Sequence, residues 1–249
     1  MLVAATTDCF RQLSLKETLD KLVDLEYSNV EIVIDESGNQ VKPSEVASDV
    51  NMAVSLCRDT HRMNVVSYWF RTTATGEEYY DQFDACCRLA KATKVVTITV
   101  PSGELGTPFN EEVERLTQLV QVAEMQGVRV GVKSQVGCLS EDPDTLVVLC
   151  DNVDGLGVTL DPSHYICGPH SGKSYDKLLK YTYHVHLRDT SKDELQVRIG
   201  QGEVEYGRLI NQLRKSGYDR ALSTDVTEVP DLDPFGEMRQ MRLLLESLL

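Results

Sequence analysis

In Tyr183-His184-Val185-His186-Leu187-Arg188, apolar side chains alternate with side chains that can do chemistry. Successive residues of a strand point to opposite faces. His184, His186 and Arg188 therefore share one face, and Tyr183, Val185 and Leu187 share the other. The same rule applied elsewhere turns Thr159 and Asp161 inward, with Val158 and Leu160 outward. It turns Gly131 and Lys133 inward against the outward valines of 128–132, and Ser223 and Asp225 inward against Leu222. Glu31 points inward against Val30, Ile32 and Ile34. The convergent set is Glu31, Lys133, Asp161, His186, Arg188 and Asp225. Imidazole, carboxylates and cations in one place can hold a metal, move protons or steady a developing anion. Such groups are rarely enclosed without partners or a function, and a purely structural ion-pair network is the alternative.

These residues must be positioned by strands, and the chain offers eight: Leu2–Thr7, Val30–Ile34, Met63–Phe70, Lys94–Val100, Val128–Lys133, Gly157–Asp161, Tyr183–Arg188 and Ala221–Val226. Between them lie helical patterns at Ser14–Leu25, Pro43–Arg62, Gly76–Ala92, Asn110–Gln126, Asp142–Cys150, Ser174–Tyr181, Tyr206–Ser216 and Pro234–Leu248. Ser14 with Glu17 reads as a capping box. Pro43 opens a helix and Gly127 closes one. Regular alternation of strand and helix implies parallel pairing with right-handed crossovers. Eight units in 249 residues predict an α/β fold, a single (β/α)8 TIM barrel over residues 1–249. An open doubly wound sheet is the rival, but no Gly-x-Gly-x-x-Gly follows the first strand. All members of the convergent set except Glu31 fall at or near strand C-terminal ends, where barrel active sites sit.

Composition narrows the function. Twenty-five Lys and Arg against 39 Asp and Glu leave a net charge of −14, and no basic patch stands out. That charge repels a phosphate backbone, so no nucleic-acid partner is expected. No apolar run of membrane-spanning length and no secretion signal occur, so no membrane partner is expected either. The seven cysteines, 9, 57, 86, 87, 138, 150 and 167, form no Cys-x-x-Cys pair and read as free thiols in a cytoplasmic protein. His164-x-x-Cys167-x-x-His170 is a weak metal motif, because its spacing on a turn is undefined. Gly200-Gln201-Gly202-Glu203 reads as a tight turn, with amides that an anion could use as the alternative.

The order Leu160-Asp161-Pro162-Ser163-His164, Tyr183-His184-Val185-His186-Leu187-Arg188-Asp189, Gly200-Gln201-Gly202-Glu203-Val204-Glu205-Tyr206 and Ala221-Leu222-Ser223-Thr224-Asp225 resembles the xylose isomerase-like TIM-barrel family. The resemblance spans the chain and is tightest from Gly127 to Asp225. That family includes sugar and sugar-phosphate isomerases and epimerases, inosose dehydratases and endonuclease IV. The resemblance implies a divalent metal (Mn, Zn, Mg or Co) held by Asp161, His186 and Asp225, the last an Asp where Glu is usual. The remaining ligand, a Glu ending the fifth strand, is replaced by Lys133 in Gly131-Val132-Lys133-Ser134-Gln135. An ammonium seeks anionic oxygens and can take the ion's place between the aspartates, so the metal site is expected to be weakened or absent. Lys133 and Asp225 are then the expected catalytic groups. Glu31, Trp69, His164 and Arg188 are the expected substrate contacts, with Trp69 able to stack on a sugar ring or, as the alternative, simply packing at the barrel mouth.

The implied chemistry is isomerisation or epimerisation of a small sugar or polyol by proton transfer next to a carbonyl. A barrel that binds a sugar-like ligand or a partner without turnover is the alternative. Endonuclease IV-like repair fits poorly, because five histidines and a strong negative charge do not suit a multi-zinc DNA site. A homo-oligomer is compatible with the sequence.

Overall fold

A computed structural model describes residues 1–230 and 232–249. Eight parallel strands close into a barrel in sequence order: β1 (Leu2–Thr6), β2 (Asn29–Asp35), β3 (Asn64–Arg71), β4 (Thr97–Pro101), β5 (Arg129–Lys133), β6 (Gly157–Leu160), β7 (Thr182–Leu187) and β8 (Ala221–Thr224). β8 closes on β1, pairing Leu2 with Ala221 and Ala5 with Thr224. The helices are α1 (Leu15–Asp24), α2 (Pro43–Ser48), α3 (Val50–Arg58), α4 (Gly76–Thr93), α5 (Phe109–Met125), α6 (Pro143–Asn152), α7 (Ser163–Ile166), α8 (Tyr206–Lys215) and α9 (Pro234–Leu248). The predicted (β/α)8 barrel is the observed fold.

The expected alternation is present on each strand. Val30, Ile32 and Ile34, then Val130 and Val132, Val158 and Leu160, and Val185 and Leu187 are fully buried in the layer between barrel and helices. The opposite parity fills the barrel interior, where the Thr99 and Thr159 hydroxyls meet at 2.8 Å. Gly131 is required there, since a Cβ would stand 2.6 Å from Thr159 Oγ1. The Ser14–Glu17 capping box forms at α1. Gly127 follows α5 with φ +70, a conformation that favours glycine.

Three local expectations are corrected. The pattern over Pro43–Arg62 is two helices, because Asp49 is extended (φ −149, ψ 90) and caps the second by accepting from Met52 N. The stretch after β6 holds the short α7 and a 3-10 turn at Asp176–Tyr181 instead of one helix over Ser174–Tyr181. α4 runs to Thr93 and ends on left-handed Lys94, so β4 starts at Thr97, three residues later than predicted. Among the described residues no helix is long and apolar enough to cross a membrane.

Candidate active site

The C-terminal ends of the strands bring Lys133, Asp161, His186, Arg188 and Asp225 together. Lys133 closes β5, and Asp161, Arg188 and Asp225 each stand one residue past β6, β7 and β8. All are buried. Lys133 Nζ donates to Asp225 Oδ2 at 2.7 Å and lies 3.5 Å from Asp161 Oδ2. Arg188 Nη2 donates to Asp161 Oδ2 at 3.1 Å and also to Asp225 Oδ2. Two cations therefore face two carboxylates.

The hydrogen bonds around this quartet hold it in place. Ser134 Oγ accepts from Asp161 N at 2.7 Å and donates to its carbonyl. Ser163 N and Oγ donate to Asp161 Oδ1, and Thr6 Oγ1 donates to Asp225 Oδ1. Burial alone favours protonated carboxyls, but Arg188, with Lys133, overcomes it at Asp161 and holds it below the usual carboxylate range. Lys133 and Arg188 do the same at Asp225. Burial opposes the charge on Arg188, and Asp225 and Asp161 outweigh it, raising its pKa.

Lys133, Arg188 and Asp225 line a cavity of about 410 Å³ together with Asp8, Trp69, Arg71, Gln135, His164 and Thr227, while Asp161 is fully buried beside them. His164, on α7, accepts at Nδ1 from Val136 N (3.2 Å). Its proton is therefore on Nε2, which lies 3.5 Å from Asp161 Oδ2. Burial pushes this imidazole down to about 4, so it is a neutral donor at pH 7. The Trp69 ring, expected to stack on a sugar, has two cations against it: Lys133 Nζ at 3.9 Å and Arg71 Cζ at 4.2 Å from its centroid.

Glu31 lies away from the cavity lining. Its Oε2 is 2.8 Å from both His184 Nε2 and His186 Nε2, inside the sealed barrel. It is a substrate contact by expectation and an anchor for two imidazoles by position. Burial favours its protonated form, and His184 and His186 reverse that, holding it ionised below the usual range. His186 links the two clusters, since its Nδ1 is 3.5 Å from Asp225 Oδ2.

Two groups among the described residues have ligand atoms within 4.8 Å of one another: Asp161, His186 and Asp225, and Glu31, His184 and His186. The first is the metal set the resemblance implies. A divalent ion does not fit it as it stands. Asp225 Oδ2 already accepts from Lys133 and Arg188, and Asp161 Oδ2 from Arg188. In the second group both Nε2 atoms point to one carboxylate oxygen, which spends them as hydrogen-bond partners. His164, Cys167 and His170 are not among these groups. The Gly200 and Gly202 amides are also taken, at 2.7 and 3.0 Å, by Asp189 Oδ2.

The sequence reading missed the rim. Arg71 Nη2 lies 2.6 Å from Asp8 Oδ1 and 3.1 Å from Asp35 Oδ2, and Arg11 Nη2 is 3.0 Å from Asp35 Oδ2. The signal was present: Arg71 has the parity of Trp69, and Asp35 that of Glu31.

Comparison with known proteins agrees with this architecture. Over residues 19–247 the chain matches the family model described as xylose isomerase-like TIM barrel. A D-tagatose 3-epimerase-like protein superposes with TM-score 0.75 at 17% identity, covering 100% of this chain and 98% of that one. IolI with a bound zinc atom superposes with TM-score 0.70 at 17% identity, covering 100% and 96%. An uncharacterized protein of Methanocaldococcus jannaschii is 26% identical over 125 residues, 47% of this chain and 43% of that relative. The chain thus matches less than half the length of that relative, and the structural likenesses speak for the fold. With the barrel, the register and the matched span in hand, the chain belongs to the xylose isomerase-like TIM-barrel family.

Proposed function

We propose that this barrel binds a small sugar or polyol-type carbonyl compound and moves a proton next to its carbonyl, as an isomerase or epimerase. One observation carries this reading: an ammonium, Lys133 Nζ, sits 2.7 Å from Asp225 at the floor of a cavity at the catalytic end of the barrel. Asp225 takes the proton from the carbon beside the carbonyl. The electron pair forms the carbon–carbon double bond, and the carbonyl oxygen becomes an oxyanion. Lys133 and Arg188 steady that charge, and His164 Nε2–H donates to an oxygen at the wall. Returning the proton to the former carbonyl carbon, while the hydroxyl proton of its neighbour passes to the oxyanion, isomerises the substrate; epimerisation needs a second proton donor on the opposite face. No step runs through a metal, since the cations already occupy its oxygens. A cytoplasmic setting is part of this reading, supported by the seven cysteines being free thiols.

A second reading has its own support. Both aspartates are held well below the usual carboxylate range, and such a base accepts a proton from carbon poorly. On that reading the chain binds the ligand without turning it over. Incubation with a panel of ketoses and aldoses in heavy water, followed by proton NMR, separates the two. Exchange of the hydrogen beside the carbonyl, lost in Asp225→Asn and Lys133→Met, supports catalysis. Ligand binding without exchange supports the second reading.

A further inference from the structure

Gln135 stands on the cavity wall with its backbone committed and its side chain free. Ser134, before it, donates from N to the Thr159 carbonyl at 3.1 Å and exchanges two hydrogen bonds with the Asp161 backbone. Val136, after it, donates to His164 Nδ1 at 3.2 Å. The Gln135 carbonyl itself accepts from Cys138 N at 3.4 Å. The loop after β5 is thus tied to β6 and α7 on either side of Gln135, which fixes where its side chain starts. That side chain lines the cavity, is partly exposed, and meets no hydrogen-bond partner among the described residues.

The other polar groups of the lining are largely committed. Asp8 accepts at both oxygens from Arg71. Asp225 accepts from Lys133 and Arg188 at one oxygen and from Thr6 at the other. The hydroxyls of Thr72 and Thr227 donate to Gln82 and Gln196, and the Pro101 carbonyl accepts from Arg115. Charge is balanced as well: the cations Lys133, Arg71 and Arg188 stand against the carboxylates Asp225, Asp8 and Asp161. Among the described residues an anion in this cavity meets no unpaired cation, and an enclosed charge without a partner is costly. The two groups left to read a ligand, the Gln135 amide and the Nε2–H of His164, are both neutral.

Resting on the reading proposed above, we infer that Gln135 is a specificity-determining residue and that it selects an uncharged polyhydroxy carbonyl compound: its amide binds a hydroxyl of the substrate whose carbonyl faces Lys133 and Arg188. An amide carries an acceptor and a donor side by side, and a hydroxyl answers both. A carboxylate or a phosphate dianion in the same place offers acceptors only, and brings a charge that the wall does not offset.

Calorimetry with matched probes tests this. D-Erythrulose, its three monodeoxy analogues and its terminal phosphate ester are titrated into the wild-type protein and Gln135→Met, which keeps the length of the side chain and removes the amide. Wild type is expected to bind D-erythrulose about tenfold tighter than one of the monodeoxy analogues, and at least tenfold tighter than the phosphate ester. In Gln135→Met, D-erythrulose should fall to the level of that analogue, whose own affinity stays within twofold of its wild-type value. Circular dichroism checks that the variant folds, and the wild-type comparison stands without it. Equal binding of D-erythrulose and all three analogues to wild type, tightest binding of the phosphate ester, or binding of none overturns the inference. So does a discrimination that survives in folded Gln135→Met, or an equal loss for every probe, which would make the residue structural. The heavy-water assay keeps the two readings apart. Exchange on ketoses with no role for Gln135 sinks this inference alone. Discrimination through Gln135 with no exchange on any substrate sinks the catalytic reading alone.

Discussion

Two buried charge clusters share this barrel and differ in one respect that governs their use. The upper one, Lys133, Asp161, Arg188 and Asp225, balances two carboxylates with two cations and borders the cavity through Lys133, Arg188 and Asp225. The lower one, Glu31, His184 and His186, sets one carboxylate against two imidazoles inside the closed barrel. Both arise from the same inward parity. Depth along the strand separates them, since Glu31 is early on β2 while the upper residues end or follow their strands. Identical patterning thus yields a cavity-facing cluster near the mouth and an enclosed one below, with His186 touching both.

The largest effect should come from removing Lys133. Lys133→Met leaves Asp161 and Asp225 with Arg188 alone, and stripping one partner from a buried ion pair costs about 3–5 kcal/mol. Urea denaturation should show that loss, and ligand binding should vanish with it. A loss under about 1 kcal/mol would show that water reaches the aspartates and that the quartet is not sealed from solvent. Lys133→Glu carries the opposite expectation. It removes the cation and adds a carboxylate beside Asp161, His186 and Asp225, which rebuilds a four-donor set. Elemental analysis should find no stoichiometric Mn, Zn, Mg or Co in wild type and about one equivalent in the variant. A folded variant without metal would mean either that Arg188 keeps the aspartate oxygens or that β5 does not aim residue 133 as described, and adding Arg188→Met separates the two.

A pH series distinguishes the cavity wall from the carboxylates. His164 titrates at about 4 in the folded chain against 6.5 unfolded. The unfolded chain therefore takes up the proton first, and stability falls as pH drops from about 6.5 to 4. The full effect is roughly 3 kcal/mol, from the size of that shift. Glu31, Asp161 and Asp225 are lowered below their usual values, so their stabilisation is complete above about 4 and is lost only at lower pH. Burial also lowers His186, which adds to the same window, so thermal melts of His164→Asn should shrink the upper window without abolishing it and leave the lower one. An unchanged upper window would place the responsible proton elsewhere.

How much of this was legible before the structure depends on the residue. The inward register of Glu31, Lys133, Asp161, His186, Arg188 and Asp225 follows from period two, because every one has apolar neighbours that must face the helices. The eight units follow from alternation. Depth was not legible, because it depends on how far each strand is staggered in the closed barrel. Glu31 therefore looked like a ligand contact. Arg188 was placed among the substrate contacts from its inward parity. Counting two aspartates against one lysine would have shown that a second cation was needed. The break at Asp49 was hidden because the apolar period continues across it, while its capping side chain ends one helix and begins the next.

The smallest expected effect sharpens the comparison most. Glu31→Gln keeps the size of the side chain and removes its charge. The amide oxygen can still accept from one imidazole, so the loss is a charge-assisted bond exchanged for a neutral one plus a weakened second contact, about 1–3 kcal/mol. If the lower cluster is only structural, melting temperature falls while affinity for a cavity ligand changes less than about twofold, or under roughly 0.4 kcal/mol. His186 is the one route by which the change could travel upward, through its Nδ1 at 3.5 Å from Asp225 Oδ2. A drop in affinity as large as the drop in stability would show that Glu31 positions Asp225 through His186. The two clusters would then be one site extending down the barrel axis. Adding His186→Asn to Glu31→Gln decides between these outcomes: additive losses keep the clusters separate, and a coupling above about 0.5 kcal/mol joins them.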